Sequence, residues 1–574
     1  MKTLNADQTK PIWQTWVNNS EKHPDRDAII YWKAGEEPFR WTYKNLIETA
    51  VKFSAYLMEA GIKKNDVCAI IIRHNKYFYP LYMGIAAIGA LPAVLAYPNP
   101  RLHPDKFRQG LAGMCERSGL DWILTEHDLD EIIRPFAEEQ GGTVKELIFP
   151  LEWDLNNIDY NEANKSVQKL SSEISINDPV LLQHSSGTTG LQKPVVLSNK
   201  AVYEHMMYYG ASLNVKDDDK MISWLPLYHD MGLIAAFHMP LILGLSSVQL
   251  DPFEWVVAPS ILCEAASSEK ATITWLPNFA YNFMADRITD EDLDGSSLKS
   301  LRLIINCSEP VRAESHHKFI NKFQQYDLNP NALSACYAMA ETTFAVSQTV
   351  PDKIPLEVVL DRNELSAGNV VMASDESTNR VCVSSGKLIE GCKVKIVDPD
   401  RKQVGENKVG EIAVISVSLF DGYRNYPEKT AEALDENGWY YTGDYGFMHN
   451  DELFVIGRKK DIIIEAGNNI YPEDVEDAVN KVNGVLPGRV IAFGEEDEEL
   501  GTEHVSVVAE TNESEENFRK LKMDIIRAGM SINVNIKTVY LVPSRWLIKS
   551  SAGKPSRKAN RNRIINKEFE QVWS

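Results

Sequence analysis

PVLLQHSSGTTGLQKPVV, residues 179–196, decides the fold class. A short apolar run of strand length, Pro179 to Gln183, breaks into small hydroxylated residues and glycine before a second apolar run begins. Gly187 and Gly190 let the backbone turn tightly. Ser185, Ser186, Thr188 and Thr189 supply hydroxyls and main-chain N–H groups able to surround phosphate oxygens, and Lys193 adds a point charge. The spacing is not that of G-x-x-x-x-G-K-[ST], because Gly187 and Gly190 are three apart and Lys193 lies three beyond the second glycine. A kinase or GTPase reading is therefore weak, the more so without a D-F-G segment. A Ser/Thr/Gly tract alone is more often an ordinary loop, so the rest of the chain has to decide.

The same punctuation recurs outward from this stretch. VCAIII at 67–72, WILT from Trp122, LRLIIN at 301–306 and LSAC at 333–336 alternate with longer amphipathic stretches. That pattern predicts an α/β fold whose ligands gather where strands end. From Val383 the style changes to alternating strands, KVKIVD, EIAVIS and ELFVIG, separated by turn-rich segments, which predicts a smaller β-rich lobe. Beyond Gly457 it changes again, to a helix start at YPEDVEDAV, strands at VIAF and VSVVAE, an amphipathic SEENFRKLKMDII and a late strand TVYLV. This predicts a compact α+β unit, with the boundary in GRKKD and the chain dividing into residues 1–458 and 459–574. EEDEEL at 495–500 reads as a solvated turn.

A chain of 574 residues exceeds one ordinary core. Its formal charge of -21 argues against a general nucleic-acid binder, which needs clustered Lys and Arg. Positive charge does gather late, at Lys549, Lys554, Arg557, Lys558, Arg561, Arg563 and Lys567. That tract suits either a solvated helix face or contact with phosphate or an acidic partner. Seven cysteines without a C-x-x-C pair read as reduced thiols in a cytoplasmic protein. The first residues have no apolar core of a secretory signal. PLYMGIAAIGALPAVLAYP, 80–98, is uncharged but divided by Pro92, and suits a buried helix and strand better than a membrane span.

SSGTTGLQK resembles the phosphate loop of the adenylate-forming (ANL) superfamily, which includes acyl-CoA synthetases, peptide-synthetase adenylation domains and fatty acyl-AMP ligases. WLPLYHDMGL (224–233), NCSEPV (306–311), CYAMAETT (336–343), YTGDYG (441–446), GRKKDIII (457–464) and SSAGKPSR (550–557) resemble further motifs of that superfamily, in its order. The resemblance implies a large N-terminal domain of two mixed sheets packed with helices plus a smaller β-barrel-like lobe, followed by a small mobile α+β C-terminal domain. It also implies ATP as cosubstrate, with magnesium, and attack of a carboxylate on the α-phosphorus to give an acyl-adenylate that a thiol then opens.

Carried over by motif, Glu341 would be the magnesium ligand, a role suited to a single carboxylate. Asp444 would accept the ribose hydroxyls and Arg458 would bridge ribose and phosphate. Tyr337 would stack on adenine, edged by Ser308, Glu309 and Pro310, with Ala340 and Thr342 flanking Glu341 around the nucleotide. Lys193 belongs to the phosphate loop. Lys554 would touch the substrate carboxylate and α-phosphate as charge is redistributed. His229 and Asp230 would stand beside the carboxylate entrance. Lys460 takes the hinge position and Gly467 the pantetheine path, where a missing side chain permits close approach. Out of this context each of these residues has an ordinary structural alternative in a core, a strand end or a surface ion pair.

Within the superfamily, LPLYHDMGLI, WLPNFAYNF (275–283) and CSEPVRAE (307–314) are similar to the fatty acyl-AMP ligase branch, and the stretch from Thr349 to Val383 matches where that branch carries an insertion. The insertion implies restrained domain rotation and an acyl carrier protein as acceptor. GRKKDIII and GNNIYPEDVE resemble acyl-CoA synthetases equally, so CoA stays an alternative, and a silent nucleotide-binding or carrier-docking protein is a third. The expected acyl pocket comprises Trp275, Leu276, Pro277, Asn278, Phe279 and Phe283, which suits an apolar carboxylic acid. Leu191, Gln192, Val195 and Ala338 depart from the superfamily's commoner residues.

Overall fold

The computed structural model describes residues 10–98, 107, 111–113, 115, 118–139, 143–185, 193–375, 379–465, 468–497, 502–549, 555–566 and 572. Strands β1 (Asp27–Trp32) and β2 (Phe39–Thr42) lead into helix α1 (Tyr43–Glu59). Thr42 caps that helix by accepting the Asn45 N–H, and Leu46, Ile47, Ala50, Val51 and Phe53 bury one helical face.

The uncharged stretch at 80–98 folds as the sequence predicts. Strand β3 (Val67–Ile71) is followed by the fully buried helix α2 (Phe78–Ala87) and strand β4 (Leu91–Val94). With β5 (Trp122–Thr125) and β6 (Glu146–Ile148) they make a parallel sheet in the order β4-β3-β5-β6. Pro92 therefore sits on an edge strand, where its missing N–H breaks no ladder. Among the described residues no helix is long and apolar enough to cross a membrane.

Strands β7 (Pro179–Ser185) and β8 (Lys193–Ser198) pair antiparallel, with Ser185 opposite Lys193, and helix α3 (Asn199–Ser212) follows. Next come β9 (Lys220–Ser223), β10 (Ser246–Leu250), helix α4 (Pro252–Val257), β11 (Ile273–Leu276), helix α5 (Asn278–Arg287), β12 (Leu303–Asn306), helix α6 (Ala313–Phe323) and β13 (Leu333–Ala338). The order β13-β12-β11-β9-β10-β1 is parallel throughout, so the loops after β9 to β13 open on one edge of the sheet. Every residue of β11 and β12 is buried, which is what covering both faces of a parallel sheet requires.

Beyond β13 the sheet turns antiparallel through β14 (Ala345–Gln348). The stretch from Thr349 to Val383 carries its own antiparallel pair, β15 (Glu357–Leu360) and β16 (Arg380–Val383). Strands β17 (Lys387–Leu388), β18 (Cys392–Val397), β19 (Gly410–Ser416), β20 (Tyr440–His449) and β21 (Glu452–Arg458) form the β-rich lobe. That lobe is not a closed barrel. It is the antiparallel end of one thirteen-stranded sheet, β18-β19-β20-β21-β17-β14-β13-β12-β11-β9-β10-β1-β2.

The last unit comprises β22 (Ile463–Glu465), β23 (Asn468–Ile470), helix α7 (Pro472–Asn480), β24 (Val485–Asp497), β25 (Thr502–Thr511), helix α8 (Glu515–Met530), β26 (Ile536–Pro543) and helix α9 (Arg557–Ile565). Val475, Val479, Val507, Leu521, Ile525 and Leu541 anchor a core drawn only from residues after 462. The expected turn at 495–500 begins instead as strand, and Glu495 accepts the Tyr540 hydroxyl at 3.1 Å. All seven cysteines are free thiols.

Candidate active site

A cleft of about 2790 Å³ runs along the open edge of the parallel strands and continues between the β-rich lobe and the last unit. Asp444 and Arg458 face each other across the β20–β21 pair, with Arg458 Nε 3.6 Å from Asp444 Oδ1. Tyr337, at the end of β13, donates its hydroxyl to Asp444 Oδ2 at 2.6 Å. Desolvation pushes the Asp444 carboxyl above its ordinary range, against the opposing pull of Arg458 and the Tyr337 hydroxyl. A carboxylate lined up by a guanidinium and a phenol is fitted to accept paired hydroxyls.

Glu341 stands on a tight turn, Ala340–Thr342, between β13 and β14. The Thr342 hydroxyl donates to the Phe344 carbonyl at 2.8 Å, and the Phe420 N–H donates to the Glu341 carbonyl at 2.8 Å, which fixes the turn from both sides. Thr342 thus spends its side chain on the backbone, while Ala340 and Glu341 line the cleft. The Glu341 side chain is buried and accepts the Tyr423 hydroxyl at 2.7 Å. Lys193 Nζ lies 3.4 Å from that same hydroxyl and 4.5 Å from the centre of the Tyr423 ring. A single carboxylate of this kind fits a magnesium ion that takes its other ligands from phosphates and water. Among the described residues no three His, Cys, Asp or Glu side chains converge as a protein-only metal cage.

On β7, the imidazole of His184 is buried against the Ser118 hydroxyl at 2.8 Å, and burial pushes it down to about 4. Ser185 is described only as the last residue of β7, and Ser186, Gly187, Thr188, Thr189 and Gly190 lie outside the described residues.

The opposite wall comes from the ends of β9, β11 and β12. Asp230 accepts the Met231 N–H at 2.8 Å at the start of a π-helix, Met231–His238. A Cβ on Gly232 would lie 2.3 Å from the Pro226 carbonyl oxygen, the same oxygen that accepts the His229 N–H at 3.2 Å, so glycine is required for this close approach. Asn278 Oδ1 accepts from Asn306 Nδ2 at 3.0 Å and from the Arg312 N–H at 3.1 Å, tying the loops after β11 and β12 together. Glu309 accepts the Phe279 N–H at 2.8 Å, so its carboxylate serves the first turn of α5. Ser308 holds the left-handed conformation, φ 69°, and with Glu309 and Pro310 lines the cleft. Pro277, Asn278, Phe279 and Phe283 line it too. Trp275 does not: it is fully buried in the core, its indole N–H donating to the Tyr209 hydroxyl at 2.9 Å. Trp275 and the fully buried Leu276 are the last residues of β11, and the cleft is lined only from Pro277 onward, where the chain leaves the strand for α5.

On the side of the last unit, Lys460 lines the cleft, and desolvation together with Arg458 holds its amine down to about 8. Lys554 and Gly467 lie outside the described residues. Their neighbours differ in placement. Lys549 and Pro555 to Lys558 line the cleft, whereas Glu465 and Asn468 do not.

Two features were not legible as site residues in the sequence. Tyr423, in FDGYRN, has no separable motif, yet it joins Lys193 to Glu341. Asp474 of α7 receives three arginines, Arg312 at 3.7 Å, Arg362 at 3.2 Å and Arg380 at 3.2 Å, the last two from the stretch between Thr349 and Val383. Nothing in local sequence marks partners so far apart.

The family model described as AMP-binding enzyme matches residues 16–424. A probable long-chain-fatty-acid--AMP ligase of Mycobacterium tuberculosis, FadD30, is 27% identical over 573 residues, covering 93% of this chain and 95% of that protein. JamA of Moorena producens, a medium-chain-fatty-acid--[acyl-carrier-protein] ligase, is 28% identical over 98% of this chain and 97% of its own. Among solved structures, a fatty acyl-adenylate ligase of L. pneumophila in complex with acyl adenylate and pyrophosphate superposes with a TM-score of 0.73 at 26% identity, covering 100% of this chain and 99% of that one. A structure from a study of fatty acyl-adenylate ligases of E. coli and L. pneumophila superposes with a TM-score of 0.87 at 22% identity, covering 99% of this chain and 100% of that one, and speaks for the fold. With its model matched across most of the chain and these relatives aligned nearly end to end, the chain belongs to the AMP-binding enzyme family of the adenylate-forming superfamily and is an adenylate-forming ligase.

Proposed function

We propose that the protein activates a fatty carboxylic acid with ATP to acyl-AMP, releasing pyrophosphate, and then passes the acyl group to the phosphopantetheine thiol of an acyl carrier protein. One observation carries the first half: a single cleft sets Asp444, Arg458, Tyr337, Glu341 and Lys193 opposite His229 and the apolar wall of Pro277, Phe279 and Phe283. The names of the relatives that align along nearly the whole chain agree with it.

In this reading Asp444 accepts the ribose hydroxyls, Arg458 spans ribose and phosphate, and Tyr337 lies against adenine beside Ser308, Glu309 and Pro310. The phosphate loop, Ser185 to Gly190 with Lys193, holds the phosphates. Glu341 would hold the magnesium ion, which would supply neutralisation of phosphate charge. A carboxylate oxygen entering past His229 and Asp230 attacks the α-phosphorus while the bond to pyrophosphate breaks. Lys554, carried on the loop whose flanks line the cleft, stabilises the charge passing between carboxylate and phosphate. The protein's contribution is position and electrostatics rather than proton transfer. Thiol attack on the acyl carbonyl then expels AMP. For that step the unit 459–574 turns about Lys460 relative to 1–458 and brings Gly467 to the cleft. The carrier is favoured over CoA by the inserted stretch, whose Arg362 and Arg380 hold the last unit through Asp474.

The test is pyrophosphate release with ATP, magnesium and a panel of saturated carboxylic acids, followed by addition of CoA or a phosphopantetheinylated carrier to the loaded enzyme. Acyl-AMP with fatty acids, and thioester on the carrier but not on CoA, is the expected result. Silence with every acid sinks the catalytic reading, and thioester on CoA alone replaces the acceptor.

A further inference from the structure

The loops that line the cleft follow sheet order, and that order gives the acyl arm a direction. Tyr337 ends β13, Ser308 follows β12, Phe279 follows β11, His229 follows β9 and helix α4 follows β10, so α4 lies four strand steps from the Tyr337 end of the cleft. At about 4.8 Å per step this is roughly 19 Å from the Tyr337 end of the cleft, a distance that suits a long acyl chain.

At that outer end the wall is aromatic and stiff. Trp224 and Trp255 stack with ring centres 3.6 Å apart and planes 2° from parallel. Phe279 meets both edge-on at 6.3 Å, and Phe283 lies 5.3 Å from Trp255. The same short helix that contributes the fully buried Trp255 turns its other residues outward: Phe253 is 44% exposed, Val256 47% and Val257 81%, and all three line the cleft. A lone exposed valine needs no explanation, but an apolar strip continuous with a substrate arm does. The helix is firmly seated without them, because Asp251 accepts the Phe253 and Glu254 N–H groups at 2.6 and 3.3 Å and Glu254 accepts the Ala34 N–H at 3.2 Å.

We propose that the acyl arm is open at its outer end, and that Phe253, Val256 and Val257 on α4 bind the distal methylenes of a long unbranched acyl chain once it has passed the Trp224–Trp255 pair. This rests on the reading of the cleft as a fatty-acid site and adds to it that chain length is sensed on the surface of α4. Each methylene removed from water there is worth about fourfold in affinity, so the strip discriminates between acids long enough to reach it and acids that end at the tryptophans.

Val257→Asp and the milder Val257→Asn are compared with the wild-type protein in two measurements, kcat/KM for pyrophosphate release with octanoate and with palmitate, and palmitate binding by isothermal titration without ATP. The expected result is a loss of about tenfold or more for palmitate, the equivalent of about two methylenes, carried by KM and matched in the titration, with octanoate unchanged. Equal losses for both acids, or wild-type palmitate affinity in both variants, overturn the proposal. If no acid releases pyrophosphate with the wild-type protein, the functional reading falls, while the titration still decides whether α4 holds the acyl tail.

Discussion

One phenol touches both Glu341 and Lys193 on the wall of the cleft. Tyr423 donates to Glu341 at 2.7 Å while its ring faces the Lys193 ammonium at 4.5 Å, so its hydroxyl orients the carboxylate and its ring steadies the amine. Tyr423→Phe keeps the ring and deletes only the hydroxyl. A hydrogen bond to a charged group is worth about 1.5–3 kcal/mol, so kcat/KM for ATP should fall by at least about tenfold, with a steeper dependence on magnesium concentration than in the parent. Unchanged magnesium dependence would place Tyr423 in a packing role alone. Asp444 and Arg458 were legible in the sequence because each sits in a short motif on one hairpin, and the register of β20 and β21 sets them opposite one another. Tyr423 was not, because its meaning arises only where the turn at Ala340–Thr342 meets a distant loop.

Elements followed the hydrophobic pattern closely wherever strands are buried on both faces. WILT became β5 residue for residue, LRLIIN contains β12, and the alternating runs after Val383 became β18, β19 and β21. What the pattern does not carry is pairing between strands far apart in sequence. β1 joins β10, and the β-rich lobe continues the large sheet instead of closing on itself, because neighbour choice is settled by long-range packing and not by any period in the chain. The π-helix Met231–His238 is a second such case: its sequence is apolar up to His238, and contact with Pro226 explains the glycine at its second position, Gly232. Gly232→Ala would drive a Cβ into a backbone carbonyl that cannot swing aside. A loss of about 1–3 kcal/mol in unfolding free energy is expected, together with a raised KM for the carboxylic acid, since the displaced Pro226 carbonyl also holds His229. Gly405→Ala, where a Cβ meets nothing within 4 Å, serves as the control and should leave both quantities unchanged.

At the scale of the whole molecule, the last unit has its own core and meets the rest through charge as well as through Tyr471, which packs with Val358, Leu365, Phe447 and Phe454. Asp474 faces Arg312, Arg362 and Arg380, Asp477 lies 2.7 Å from Arg312, and behind them Arg557 pairs with Asp461 at 3.0 Å, Glu473 at 2.8 Å and Glu476 at 2.7 Å. Arg557 stands three residues beyond Lys554 in the sequence and itself lines the cleft, so the network around α7 also holds Arg557 there. The turn of the unit proposed above for thiol transfer would break the contacts to Asp474, and removing one partner of a buried ion pair costs about 3–5 kcal/mol. Asp474→Asn removes that hold without changing size. If the docked arrangement is the one used for adenylation, as proposed, that step should slow, while transfer from preformed acyl-adenylate to a carrier thiol should hold or quicken, and proteases should cut more readily within Gly457 to Asp461. Lys554→Ala should lose adenylation alone. Equal slowing of both half-reactions in Asp474→Asn would reduce the arginine cluster to a structural clamp, because only a contact made in one arrangement and broken in the other can separate the two rates.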